Sequence, residues 1–411
     1  MQDLLAKFSR QLLTNPYPAY HVIRKLDPVH WSESWQSWFV TRYEDVAAMM
    51  KDSRLSVGQV SNFSNRLHLE GASPEEEEYS RLRLKAIEKW LASFLLFTDP
   101  PAHTRLRALI SKAFTPRSVE QLAPTLQQRV DRLLDPLRTG EVVDLMQAIA
   151  IPLPVMTIAD FLGSRPHDFE ELQGWSHDLA SFLGNEHLTP AVVRRSLDSL
   201  EGMAGYFNSL MLERRTQPQE DLMSRLLQAQ HEGSTLQESE ILSMCILLFG
   251  AGHDTTTNFI ANGLLALLQH PSEAAKLVRE PQRVDRAVEE VLRYDSPSLI
   301  ASRSVVEEIS LGDKVLRPGD SVNLCMGAAN RDPSQFVEPD RFTLERQEAH
   351  HIPFGRGIHF CVGSFLAKLE ARTVFSSFLK RWPASRLASP PERIPTLAFR
   401  RLKHLHVELL A

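Results

Sequence analysis

Cysteine is scarce: the 411 residues hold three, at positions 245, 325 and 361, too few and too scattered for a disulfide framework or a zinc site built from cysteine pairs. A reducing cytoplasm is the expected setting. Basic charge is not in excess, since 46 lysines and arginines face 51 acidic residues for a formal charge of −5, so no nucleic-acid partner is expected. Long apolar runs are lacking as well. Asp3, Lys7 and Arg10 interrupt the N-terminal stretch MQDLLAKFSRQLLTNPYPAY, and the longest apolar run, near Met244 to Phe249, is far too short to span a bilayer. Neither a signal peptide nor a membrane anchor is expected. No repeat or low-complexity linker marks a boundary, so the chain is read as a single domain, 1–411.

What is present is mostly helical. The apolar spacing from Asp99 to Leu268 follows a helical period almost throughout, with breaks at Pro116, at Pro152 and Pro154, at Pro190 and at Gln217-Pro218. Strands are expected in two places, about 25–60 and 295–325. In the first, WSESWQSWFVTRYEDVAAMM alternates tryptophan with polar residues and suggests a hairpin with second strand Trp38 to Thr41; in the second, Gly312-Asp313 and Pro318-Gly319-Asp320 punctuate β-branched runs. The charged stretch Ser73 to Trp90 begins with acids and ends with bases, as a solvated helix with favourable end charges does.

The most informative run is Phe354-Gly355-Arg356-Gly357-Ile358-His359-Phe360-Cys361-Val362-Gly363. Three glycines remove side chains where a backbone must turn tightly or approach a flat ligand closely. Beyond Gly363, SFLAKLEARTVFSSFLKRW has helical periodicity, so Cys361 stands just before a helix N-terminus, where a negative sulfur is favoured. A lone cysteine is more often a small buried hydrophobe, and Cys245 and Cys325, in apolar runs, are read that way. Six fixed residue types in ten positions arise by chance in such a chain with a likelihood on the order of 10⁻⁵.

This run resembles the haem-binding signature of the cytochrome P450 family, Phe-Gly-x-Gly-x-His/Arg-x-Cys-x-Gly. The resemblance covers nearly the whole chain. It implies a mainly α fold with small β-sheets, haem b lying between a long distal helix and a proximal thiolate loop and helix, and Cys361 as the iron ligand. Phe354, Gly355 and Gly363 would line the haem. Thiolate ligation pushes electron density that favours O–O cleavage.

Further motifs stand where the resemblance requires them. FGAGHDTTTNF, from Phe249 to Phe259, is poor helix material inside a long apolar helix, and such a violation often marks a functional site. It is similar to the family's distal motif through Ala251, Gly252, Asp254 and Thr255, with Ala251 beside the haem. Splitting dioxygen needs two protons, and the resemblance implies that the Thr255 hydroxyl and the Asp254 carboxyl would form the relay that delivers them. His253 is read as structural and not as a metal ligand. Glu290 and Arg293 share a helix face at i, i+3, and Arg341 matches the third member of the family's Glu-Arg-Arg triad, which holds the thiolate loop. Buried haem propionates need cationic partners, for which the resemblance offers His103 and Arg107, at i, i+4, with Arg303 and His359. Arg105 falls off that face and is read as a surface charge.

Family geometry places Leu96, Leu247, Ala251, Leu299, Ile300 and Leu397 around the substrate, implying a lipophilic molecule of secondary-metabolite, terpenoid, steroid or fatty-acid type. The terminal segment departs from the family pattern at Arg401-Leu402 and His406-Val407. No fused reductase is found, so electrons from NAD(P)H would arrive through an external ferredoxin or flavodoxin and its reductase, docking on Arg107, Lys112, Arg117, Arg356 and Lys368. The expectation is a monomeric, cytoplasmic monooxygenase that hydroxylates or epoxidises its substrate with dioxygen. The alternatives are a peroxide-driven peroxygenase, which has little need of the relay, and a haem-thiolate binding or sensor protein without turnover.

Overall fold

Proline opens many of the helices, because the first helical position needs no amide donor and suits the fixed φ of the ring. Pro16, Pro74, Pro116, Pro152, Pro190 and Pro271 each begin one. The breaks in the helical pattern at 116, 152 and 190 are thus helix starts, while Pro218 follows the end of helix Pro190–Thr216. The computed structural model describes residues 3–58, 63, 67–184, 188–231, 233–347 and 350–411. Among the described residues, no helix is long and apolar enough to cross a membrane.

The chain divides into two compact units. The first comprises Met1–Ser56, Val119–Leu153 and Thr255–Ala411. Its five-stranded sheet runs in the order Val29–Ser32, Ser37–Val40, Ser321–Leu324, Ala301–Val305, Leu55–Ser56, with only the Ser37–Val40 and Ser321–Leu324 pair parallel. The expected hairpin is there, with Trp31 opposite Trp38. Val40, Val46, Leu316, Val322, Leu324 and Phe336 fill the core beneath the sheet. A three-residue strand, Val142–Asp144, interrupts the region read as helical, since its partner is the distant segment His406–Glu408.

Buried charge ties this unit together at Asp295. Its carboxylate accepts from Tyr17 Oη at 2.7 Å, Arg393 Nη2 at 2.6 Å and Arg400 Nε at 2.9 Å. Burial alone would push this carboxyl up, but the two guanidiniums and the Tyr17 hydroxyl hold it well below the usual carboxylate range. Elsewhere in the unit, Gly263 of helix Glu238–Gln269 lies against Phe375 of helix Ser364–Arg381, where a β-carbon would stand 2.1 Å from the ring.

The second unit, Val57–Ser118 and Pro154–Asp254, is nearly all helix. The charged stretch forms helix Pro74–Leu91, capped by Ser73, with acids in its first turn, Lys89 in its last and a buried stripe of Ser80, Leu84, Ile87 and Leu91. Helices Phe169–Gly184 and Pro190–Thr216 pack together at Gly202, where a β-carbon would meet the Trp175 ring at 2.7 Å. The 32-residue helix Glu238–Gln269 belongs to this unit through Asp254 and to the first from Thr255.

Candidate functional site

Two glycines turn the loop ahead of helix Ser364–Arg381. Gly355 and Gly357 have φ of +73° and +72°, and a β-carbon on Gly357 would also stand 2.9 Å from the Met50 carbonyl oxygen. The Cys361 amide then closes the loop by donating to the Phe354 carbonyl at 3.0 Å. Gly363 is the N-cap of the helix, and a β-carbon there would lie 3.9 Å from Cys361 Sγ. The sulfur therefore sits beside a helix N-terminus, where backbone amides and the dipole favour negative charge.

The three cysteines differ in environment. Cys245 and Cys325 are fully enclosed, and burial pushes the Cys325 thiol up to about 12 and the Cys245 thiol far above its ordinary value. Cys361 alone is partly exposed. One such sulfur, on a loop stripped of β-carbons at 355, 357 and 363, suits a flat macrocycle held through a single axial bond, so the residues present fit haem.

Behind the loop stands a buried ionic cage. Arg293 Nε and Nη2 pair with both Glu290 oxygens at 2.8 Å, while its remaining hydrogens reach the carbonyls of Asn330, Pro339 and Arg341 at 3.1, 2.7 and 3.1 Å. The third member is Arg346, whose Nε lies 3.0 Å from Glu290 Oε2 and whose Nη atoms donate to the Val337, Glu338 and Arg341 carbonyls. This corrects the assignment of Arg341, whose side chain is 60% exposed and pairs with Glu338. Arg341 serves the cage only through its carbonyl. Asn330 carries the cage to the loop, because its Oδ1 accepts from the Ile352 amide at 2.8 Å. Arg346→Ala is expected to cost about 1–3 kcal/mol in chemical denaturation, as one charged partner and several carbonyls lose their hydrogen bonds. Arg341→Ala should stay within about 0.5 kcal/mol.

Other candidates of the first unit spread over three elements. Arg303 is half-buried in strand Ala301–Val305, donating from Nη1 to the Ser302 carbonyl at 2.8 Å, and His359 ends the short turn Gly357–His359. Thr255 is partly buried on the long helix. Ile300 and Leu397 pack against one buried cluster containing Tyr20 and Cys325. The turn bearing Leu397 is pinned by Leu299 N–H donating to the Ala398 carbonyl at 2.8 Å and Arg400 N–H to the Pro297 carbonyl at 2.9 Å. Leu299 itself is 0% exposed and fills the space above Gly327, where a β-carbon would lie 2.6 Å from it, so it is core and does not line open space.

In the second unit, His103 and Arg107 lie one turn apart on helix Ala102–Ala113, the first buried and the second half-buried. Burial and the adjacent Arg107 charge hold the His103 imidazole below its ordinary value. Arg105 is no loose surface charge: it pairs with Glu240 and donates to the Thr235 carbonyl at 3.3 Å. Leu96 is exposed; Leu247, Ala251 and Asp254 lie along the long helix. His253 is buried, and its Nδ1 lies 3.0 Å from the Phe249 carbonyl, which only accepts, so that nitrogen donates.

Sequence reasoning also passed over Glu370, nine residues beyond the sulfur. It is fully buried, and burial pushes its carboxyl well above the usual range despite the opposing charge of Arg129. Two residues read as a docking surface are engaged internally: Lys368 pairs with Glu289 at 2.6 Å, and Arg356 donates to the Tyr43 hydroxyl and to the His350 carbonyl at 3.0 Å. Exposed Ile358, Phe360 and Phe365 lie on the same loop and helix.

Comparison with known proteins gives concordant results. A family model described as cytochrome P450 matches residues 192–401. A biotin biosynthesis cytochrome P450 of Bacillus subtilis is 37% identical over 402 residues, 97% of each chain. The cytochrome P450 monooxygenase PikC of Streptomyces venezuelae is 35% identical, over 98% of this chain and 93% of its own. Among solved structures, P450BioI in complex with an acyl carrier protein bearing hexadec-9Z-enoic acid superimposes with a TM-score of 0.87 at 35% identity, covering 98% of this chain and 99% of the other.

Proposed function

Because the chain belongs to the cytochrome P450 family and is a haem-dependent monooxygenase, we propose that it uses externally supplied electrons to hydroxylate or epoxidise a lipophilic small molecule, with long acyl chains as the first class to test. The observation that carries the site is the Cys361 sulfur, partly exposed beside the N-cap of helix Ser364–Arg381. Haem, when bound, supplies the activation of dioxygen; the side chains bind, orient and deliver protons.

Cys361 would hold the iron, its negative charge favoured by the helix terminus. The cage of Glu290, Arg293 and Arg346 would keep the loop from shifting under that bond. His103, Arg107, Arg303 and His359 would meet the propionates, with Phe354, Gly355, Gly363 and Ala251 against the ring. Thr255 would hold a proton at its hydroxyl oxygen, replenished from the Asp254 carboxyl. Leu96, Leu247, Ile300 and Leu397 would exclude water from the substrate. The family match reaches into both compact units, which supports reading residues 1–411 as one catalytic domain. Electrons from NAD(P)H would come through a ferredoxin or flavodoxin and its reductase.

The acyl preference rests on the relative captured with an acyl carrier protein. Titrating the ferric protein with hexadecenoic acid, free and carrier-bound, should displace water from the haem and shift its absorption; a response only to steroids or terpenes would redirect the assignment. Thr255→Ala tests the relay. That variant should still consume reductant but release mostly peroxide, with product formed per reductant falling about tenfold or more. Unchanged coupling would remove Thr255 from the proton path.

A further inference from the structure

Far along the chain from the cysteine loop, Asp144 and His406 of the three-stranded sheet formed by Arg386–Leu387, His406–Glu408 and Val142–Asp144 meet His404, which ends strand Arg401–His404 of a separate two-stranded sheet. His406 is the direct register partner of Asp144. His404 and His406 flank the fully buried Leu405, so alternation puts both imidazoles on the opposite side from the leucine. Their rings stack at 5.4 Å with 24° between planes. Asp144 Oδ1 is fixed by the amides of Met146 and Leu405 at 3.0 and 2.9 Å, which leaves Oδ2 facing His404 Nδ1 at 2.8 Å. One ligand atom from each of the three residues lies within 4.8 Å of the others.

We propose that Asp144, His404 and His406 form a binding site for a divalent transition metal of the zinc type. Two imidazole nitrogens and one carboxylate oxygen are a donor set that zinc accepts, with water completing the tetrahedron. Ligands at zinc distances stand roughly 3.4 Å apart, so the Asp144 Oδ2–His404 Nδ1 pair, now 2.8 Å apart, opens by about 0.6 Å and the His406 ring closes in by about 1 to 1.5 Å, both side-chain adjustments. The proton now between Oδ2 and His404 Nδ1 leaves as the metal enters. The carboxylate is held in place by backbone amides before any metal arrives, the arrangement that a bound ion's neighbours ordinarily provide. Metal here would clip the C-terminal strands to a segment 260 residues earlier in the chain. No step of the proposed oxidation uses these residues.

The test is calorimetric titration of the haem-loaded, chelator-treated and desalted protein with zinc chloride. One equivalent should bind in the micromolar range, and zinc at a hundredfold excess over its dissociation constant should raise the thermal midpoint by about 3 °C. His404→Ala and His406→Ala should each weaken binding at least tenfold while leaving the haem spectrum unchanged. Absence of a stoichiometric site, or equal zinc affinity in both variants and the parent protein, overturns the proposal.

Discussion

Cys361→Ser should fold, bind haem weakly if at all, and lose product formation by roughly a thousandfold or more, the scale of several kcal/mol of lost transition-state stabilisation. The loop that presents the side chain is built from backbone: two left-handed glycines, the Cys361 amide on the Phe354 carbonyl and a glycine N-cap. None of these needs sulfur, so the substitution acts on chemistry and leaves architecture alone. Treating the reduced variant with carbon monoxide should give an absorption band at shorter wavelength than the parent protein's. Neither Cys245 nor Cys325 can substitute, since both are 0% exposed and their thiols resist ionisation. A thiolate-type band surviving in the variant would place the iron ligand elsewhere.

Asp295→Ala should cost about 3–5 kcal/mol, because it leaves Arg393 and Arg400 buried without their counter-charge. Urea denaturation measures it, and a loss below about 1 kcal/mol would mean that water replaces the carboxylate. Asp295→Asn, which keeps the shape but drops the charge, should fall between. The same network sets a pH dependence. With its folded value depressed below the unfolded one, Asp295 contributes its full stabilisation above the ordinary aspartate range, near pH 4, and that contribution drains away as pH falls further. The pH-dependent loss of stability below pH 4 should be shallower in Asp295→Asn, which has no carboxyl to titrate.

The cysteine loop was legible in the sequence because its requirements are local: glycines at two left-handed positions, and a helix that starts on cue. The tryptophan hairpin was legible for the same reason, since alternation along one strand reports its own burial. Arg346 was not, because which of two nearby arginines enters a cage depends on the path of the loop from Pro339 to Arg346, and Arg341 merely turns outward there. Strand Val142–Asp144 escaped because three residues carry too little pattern, and their partner lies at the other end of the chain. Glu370 left a faint trace: a carboxyl on the buried side of an otherwise periodic helix. Asp295 left none, as its three partners come from residues 17, 393 and 400.

Gly263 and Phe375 share one volume between two helices, the one on which Thr255 sits and the one that begins beside Cys361. The missing methyl on one side is the aromatic ring on the other. Evolution therefore cannot adjust these positions independently: Gly263→Ala is admissible only where Phe375 has already given way to something smaller, and the reverse exchange opens a void. The spacing of these two helices is thus inherited as a pair of residues, passed on together or lost together.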